Sequence, residues 1–264
     1  MKKFSFLLMA LVLVISCNES KKGIPKNADW LADNLSGKVE QTTDSTFKTD
    51  STGKIGELDS CCVTSTKYDD KGYASGYTSV NKAGTSKDEG TFTHDENGLF
   101  TGQKFTKNGK QMSSLIVKNK DGKYSGATSF DSANKMDFYY TDITANDYDR
   151  VTAFKQYKPD STLKSSMSFN YNNQFLKDQS AKDSVGKEIS SFAQTYDEKN
   201  NVIESIYKEI KMDSATKKDS TITTITKYRY DKLDEKGNWT QRTEMDKDGK
   251  PVKVVKRTIT YYKE

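Results

Sequence analysis

Histidine, cysteine and proline are all scarce in this chain. Its 264 residues include one histidine, three cysteines and three prolines. With a single histidine, any Ser-His-Asp or Cys-His arrangement depends on His94, which lies in the polar run His94-Asp95-Glu96-Asn97-Gly98. No Cys-x-x-Cys pair occurs, so zinc has few ligands. No Asp-x-Asp-x-Asp-Gly loop offers calcium a seat, and no glycine-rich loop opens a helix to cradle phosphate. Apolar residues make up 33% of the chain, against about 45–50% in an average globular domain, which argues against a thick two-sided core. Past residue 40 no apolar stripe repeats every 3.6 residues. These absences lead to the expectation of no enzyme, no cofactor and no metal site.

A concentrated charge of one sign is also missing. The formal charge is +5, with lysines and acids interspersed along the chain. That pattern describes a solvated surface rather than a nucleic-acid stripe, and no groove-reading motif accompanies the lysines.

Turn signals are plentiful. Gly53, Gly72, Gly84, Gly98, Gly109, Gly122, Asn134, Asn146, Asp160, Asn173, Gly186, Asn200, Gly237 and Gly249 sit in polar clusters, mostly about 12–14 residues apart. Two kinds alternate. One is rich in aromatics and acids, as in Tyr68-Asp69-Asp70-Lys71-Gly72, Tyr196-Asp197-Glu198-Lys199-Asn200 and Asp234-Glu235-Lys236-Gly237-Asn238-Trp239. The other is flanked by lysine, as in Lys107-Asn108-Gly109-Lys110 and Lys247-Asp248-Gly249-Lys250. The acid pairs recur at equivalent turns, which marks them as turn chemistry rather than a general acid and base.

Between turns the pattern has period two: Met167, Phe169 and Tyr171 alternate with Ser166, Ser168 and Asn170. The expected fold is all-β, a long antiparallel meander of repeated β-hairpins with about 14–17 strands. One face should carry aromatics and aliphatics, the other Thr, Ser, Lys and Asp. Accumulated twist should curl such a sheet into a curled open sheet or half-barrel. Whether it closes fully is not legible in the pattern.

The N-terminus differs from the rest. Met1-Lys2-Lys3 precedes an apolar run from Phe4 to Ile15, and Val14-Ile15-Ser16-Cys17 closes it. The run is shorter than the about 20 residues a spanning helix needs, and reads as a secretory leader. Val-Ile-Ser-Cys resembles the lipobox of bacterial lipoproteins. That resemblance implies cleavage after residue 16, a lipid on Cys17, and membrane attachment through it. Asn18, in place of Asp, implies by the same resemblance sorting to the outer membrane; the side faced is left open. The expected organisation is a signal peptide over 1–16, a flexible tether over 17–36, in which Asp29 to Leu35 forms a turn or two of helix, and a β-hairpin domain over 37–264. The remaining cysteines, Cys61 and Cys62, are adjacent. On a strand they point to opposite faces, so one inward and one outward thiol is favoured over a strained vicinal disulfide.

Tyr230-Asp231, Asp234 to Arg242, Asp248-Gly249-Lys250-Pro251 and Arg257 to Tyr262 resemble the closing module of YD/RHS-like repeat proteins, frequent in envelope proteins of Bacteroidota. The family implies a β-sheet scaffold without assigned chemistry. Seven Asp-Ser triplets, those of Ser45, Ser51, Ser132, Ser161, Ser184, Ser214 and Ser220, are similar to the O-glycosylation sequon of the same bacteria, against about two expected from average composition. Asp-Ser pairs are also good turn formers. Tyr139, Tyr228, Trp239 and Tyr261 are candidate binding aromatics, with filling of the apolar face as the alternative.

The leading expectation is therefore a lipid-anchored envelope protein, a non-catalytic binding or scaffolding module for a glycan or another envelope protein. The second is a transport or assembly accessory whose curved sheet shields an apolar ligand such as a lipid. A concave face of contiguous apolar residues favours the second; spaced, exposed aromatics favour the first. Exposed sheet edges would leave oligomerisation open.

Overall fold

The computed structural model describes residues 24–50, 52–212 and 219–263, without the side chains of Cys61, Cys62 and Met212. The leader and Cys17 lie outside the described residues. A one-turn helix, α1 (Asp29–Ala32), precedes the strands and falls within the Asp29–Leu35 stretch expected to be helical. The strands begin with β1 (Val39–Thr49), β2 (Ile55–Tyr68), β3 (Ala74–Val80), β4 (Lys87–His94) and β5 (Phe100–Lys107). They continue with β6 (Lys110–Lys120), β7 (Lys123–Phe130), β8 (Met136–Ala145), β9 (Val151–Tyr157), β10 (Leu163–Asn172) and β11 (Phe175–Asp183). The last are β12 (Glu188–Tyr196), β13 (Val202–Met212), β14 (Asp219–Leu233), β15 (Trp239–Met245) and β16 (Pro251–Tyr261).

Each strand pairs antiparallel with the next, and β1 pairs with β16, so the sheet is a closed barrel. The expected open sheet or half-barrel is corrected on this point. Closure pairs Thr42 with Ile259, Asp44 with Arg257 and Phe47 with Val254, and removes the two edges an open sheet would expose. The seam carries a two-pronged ion pair: Arg257 Nε and Nη2 each donate to the Asp44 carboxylate at 2.7 Å.

The two kinds of turn occupy the two rims. Residues 69–73, 95–99, 146–150, 197–201 and 234–238 lie at one rim; 50–54, 131–135, 183–187 and 246–250 lie at the other. At each, the first side chain caps the turn. Asp69 Oδ1 accepts from the Lys71 and Tyr73 amides, and Asp234 Oδ1 from those of Lys236 and Asn238. Asp131, Asp183 and Asp246 do the same at the opposite rim. The recurring acids are thus structural caps.

Directly opposed residues share a face, so the ladders divide the wall into two surfaces. One surface runs through Tyr77, Phe92, Phe105, Leu115, Tyr140, Phe154, Phe169, Phe192 and Tyr228. The other runs through pairs such as Lys104–Thr91, Lys155–Ser166, Lys182–Ser166, Lys208–Thr223, Lys227–Glu204 and Lys256–Ser45. The aromatic surface lines the lumen and the lysine, serine and threonine surface faces out, since Leu115, Tyr140, Phe154 and Phe169 wall a cavity inside the barrel.

Residues 24–38, from the stretch read as a tether, lie across the first rim. Trp30, Leu35, Val39 and Tyr68 form the most buried cluster, with Ile24, Ala74, Ile259, Tyr261 and Tyr262 against it. Trp30 is 1% exposed and its indole N–H donates to the Val39 carbonyl at 2.9 Å. Around it, polar groups fix the segment to successive rim turns. The Asn27 carboxamide reaches Gly98 O and Asp149, and Tyr73 donates to Asn27 Oδ1. Asn34 donates to Lys199 O and Asn201, while the Ser36 amide and carbonyl both meet the Asn238 side chain. Arg150 holds the segment from below, donating to Asp29 at 2.8 Å and to the carbonyls of Asn27 and Ala28.

Candidate ligand-binding lumen

Two cavities lie side by side inside the barrel. The first, about 370 Å³, is walled by Phe100, Leu115, Val117, Tyr124, Ala127, Tyr140, Ile143, Val151, Phe154, Phe169 and Tyr171. These come from β5 to β10 and share the inward face because each strand alternates. The polar atoms of this wall are turned into it: Tyr171 donates to Val151 O at 3.0 Å, and Tyr140 Oη accepts from Gln156 at 3.1 Å. What faces the space is hydrocarbon and aromatic carbon, at a volume suited to a small molecule.

The second cavity, about 450 Å³, lies between the crossing segment and the walls of β1, β2 and β10 to β16. Tyr171 belongs to both cavities, and Arg150 of the second adjoins Val151 of the first. Its lining is polar: Asp33, Asn34, Gln174, Gln194, Asn200, Asn201, Tyr196, Tyr230, Arg150, Arg242 and Arg257. Each guanidinium is paired, Arg150 with Asp29, Arg242 with Glu244 and Arg257 with Asp44. Burial pushes the Asp33 carboxyl above its usual value, with Tyr68 donating to it at 2.7 Å. Burial likewise raises the hydroxyls of Tyr171 and Tyr230, and lifts Tyr196 to about 12, so these three phenols are neutral.

The four aromatics expected to bind ligand are not gathered into one surface. Tyr139 is on the outer wall, stacked on Tyr157 with centroids 5.3 Å apart. Trp239 is covered by Arg257 at 3.7 Å and Arg242 at 4.7 Å. Tyr228 lies under Arg242 and hydrogen-bonds Ser205, and Tyr261 carries Lys236 and donates to Asp234. Each has a ring face covered by the protein itself, and the Tyr228 and Tyr261 hydroxyls are hydrogen-bonded within it. His94 stacks on Tyr73 at 5.0 Å and meets Phe100 edge-on; burial holds its imidazole below the usual value. Among the described residues no group of three metal-ligating side chains gathers, and no helix is long and apolar enough to cross a membrane.

Of the sequon serines, Ser132, Ser161 and Ser184 are exposed in turns of the rim opposite the crossing segment, and Ser220 is exposed at the start of β14 on that side. Ser45 is half-buried within β1, while Ser51 and Ser214 lie outside the described residues. The residues that sequence reasoning missed are those of the apolar cavity. They are ordinary strand aliphatics and aromatics, and only the register across six strands brings them together.

No family model matches the chain, and neither does any curated protein. Among solved structures it is similar to a porin-like protein from Bacteroides uniformis, with a TM-score of 0.51, 15% identity, and coverage of 84% of this chain and 98% of that one. That likeness is one of fold. A porin-like protein from Bacteroides vulgatus aligns at a TM-score of 0.32 and 14% identity, over 86% of this chain and 100% of that one. The TcdB2-TccC3 toxin chain aligns at 0.29 and 10% identity, over 83% of this chain and 12% of its own length. Both are too distant to show more.

Proposed function

We propose that this chain is a lipid-anchored protein of the cell envelope, a non-catalytic carrier or assembly accessory that shelters an apolar ligand in its lumen. The observation that carries this is the hydrocarbon-walled cavity of about 370 Å³ lined by Phe100, Leu115, Phe154 and Phe169. It is the contiguous apolar concave surface that favours an apolar ligand over a glycan or protein read by spaced aromatics. The outer wall supports the same reading. A barrel that spans a bilayer turns an apolar band outward and keeps its interior polar. This barrel has the opposite arrangement, with Lys155, Lys182, Lys208, Lys227 and Lys256 outside and aromatics inside. That arrangement supports a barrel that stands in water and is held by a separate attachment, which a lipid on Cys17 would supply.

The geometry of attachment follows. Ile24 sits at the crossing segment, and seven extended residues reach at most about 25 Å from it to Cys17. The covered rim then faces the membrane, and the rim bearing Ser132, Ser161, Ser184 and Ser220 faces away, where glycosylation would meet no obstruction. The test is extraction of the purified protein with organic solvent followed by mass spectrometry. Wild type should release an apolar molecule in near-stoichiometric amount, and Phe154→Asp, folded by circular dichroism, should release none. An empty wild-type lumen that also fails to bind the uncharged dye N-phenyl-1-naphthylamine would overturn the reading.

A further inference from the structure

The apolar cavity accounts for only one of two adjoining spaces, and the second is built differently. Its three guanidinium groups are matched one to one by Asp29, Glu244 and Asp44, at 2.8, 2.9 and 2.7 Å. An anionic group entering there would find each arginine engaged and Asp33 in the same wall. A cationic group would find the three carboxylates engaged in the same pairs. Uncharged hydrogen-bonding capacity is what remains unspent. Among the described residues, the Gln174 and Asn200 side chains, both part of this wall, have no hydrogen-bond partner. Together these offer both donors and acceptors, the combination that a hydroxyl or amide matches and a carboxylate, which only accepts, does not.

We infer that the lumen takes an amphiphile with an uncharged, hydroxyl-rich head: the chain lies against Phe154 and Phe169, and the head lies against Gln174 and Asn200 beneath the crossing segment. The shared Tyr171 and the adjacent Arg150 and Val151 mark where head meets chain. This rests on the apolar-ligand reading above and narrows it. It also gives the crossing segment a role, since Asp33 and Asn34 form the lid of the head cavity.

The test uses the full-length protein and displacement of N-phenyl-1-naphthylamine fluorescence by three twelve-carbon probes, each below its critical micelle concentration. Dodecyl maltoside should displace the dye at a concentration about tenfold or more below that needed for dodecanoate or dodecyltrimethylammonium, the difference expected when charged heads are left without a partner. Gln174→Ala should weaken dodecyl maltoside about fivefold, the loss of one hydrogen bond, and leave dye binding unchanged. Gln174→Glu should shift preference toward dodecyltrimethylammonium. Equal displacement by all three, or dodecanoate as the strongest, would overturn the uncharged head while leaving the apolar cavity standing. A protein that never binds the dye would instead remove the underlying reading.

Discussion

Replacing Trp30 by alanine tests whether the segment across the rim is part of the folded body or a detachable end. Trp30 is 1% exposed, and its ring packs on Gly72, where an added Cβ would sit 2.6 Å from it. Truncating a large buried aromatic to alanine costs about 3–5 kcal/mol, the spread reflecting how far the site collapses. Collapse is limited here, because Leu35, Val39 and Tyr68 are held by separate strands and turns. The Val39 carbonyl also loses its 2.9 Å donor inside an apolar cluster, a further cost of about 1 kcal/mol or more. The expected loss is therefore about 4–6 kcal/mol. For a domain of this size that lowers the melting temperature by roughly 8–24 °C. Trp30→Phe keeps most of the packing and loses the hydrogen bond, for about 1–2 kcal/mol. Urea unfolding of the three proteins reads the energies, and hydrogen exchange over residues 24–38 reads the segment directly. An unchanged midpoint in Trp30→Ala, with unchanged exchange in that segment, would refute the reasoning.

Asp33 should make stability pH-dependent. Its folded value is raised by burial, so the folded state holds a proton that the unfolded chain has already lost; its contribution is full in acid below the ordinary carboxyl value and is lost as pH rises through the raised one. Asp33→Asn should flatten that slope in urea titrations run from pH 4 to 7, and a slope that persists would exclude this carboxyl as its source. Gly98 and Gly109 both have positive φ, +80° and +77°, yet an added Cβ at Gly98 would lie 1.9 Å from Tyr73 Oη while that at Gly109 meets nothing within 4 Å. Gly98→Ala should cost several kcal/mol and Gly109→Ala only about 1–2; equal losses would show that Tyr73 does not press on the rim. Arg257→Ala should cost about 3 kcal/mol by stranding Asp44, and Asp44→Ala added to it should recover part of the loss. Cys17→Ser should release the protein from the membrane fraction, and unchanged partitioning would end the lipid reading. Intact mass equal to polypeptide plus lipid would reject sugar on the sequon serines.

Most of the local architecture could be read from the chain. Glycines with positive φ, among them Gly53, Gly72, Gly98, Gly186, Gly237 and Gly249, fall at the turns marked by composition. Two expected points shift slightly. Asn146 opens its turn and Asp160 stands third in the turn that Lys158 opens, and the left-handed residues are Asp149 and Ser161. The alternation of aromatic-acidic and lysine-flanked turns is the alternation of two rims. Closure was not legible, because β1 and β16 are separated by nearly the whole chain and nothing local marks them as partners. The role of residues 24–38 was obscured for a related reason. Their polarity reads as a tether in isolation, but Asn27, Asn34 and Ser36 find these hydrogen bonds at turns 71 to 202 residues away.

Period-two alternation by itself cannot separate a barrel that spans a bilayer from one that stands in water, since the two differ only in which set of residues faces inward. Here the decision is made by the long cations. Lys155, Lys182, Lys208, Lys227 and Lys256 occupy the face opposed to the aromatics. A lysine on a lipid-facing wall costs about 2–4 kcal/mol at the bilayer midplane, so several together argue against immersion. The same residues cost nothing in water, where their stems cover the outer wall. The low apolar content then has a physical reading. With only the inner surface apolar, the chain needs one hydrophobic face rather than two, and that face is incompletely filled by its own side chains. The space left over is the cavity walled by Phe100, Leu115, Phe154 and Phe169. A folding core that leaves an apolar space of that volume forgoes the dispersion contacts its wall would otherwise make, which an apolar ligand would restore, and this connects the barrel's composition to the ligand proposed for it.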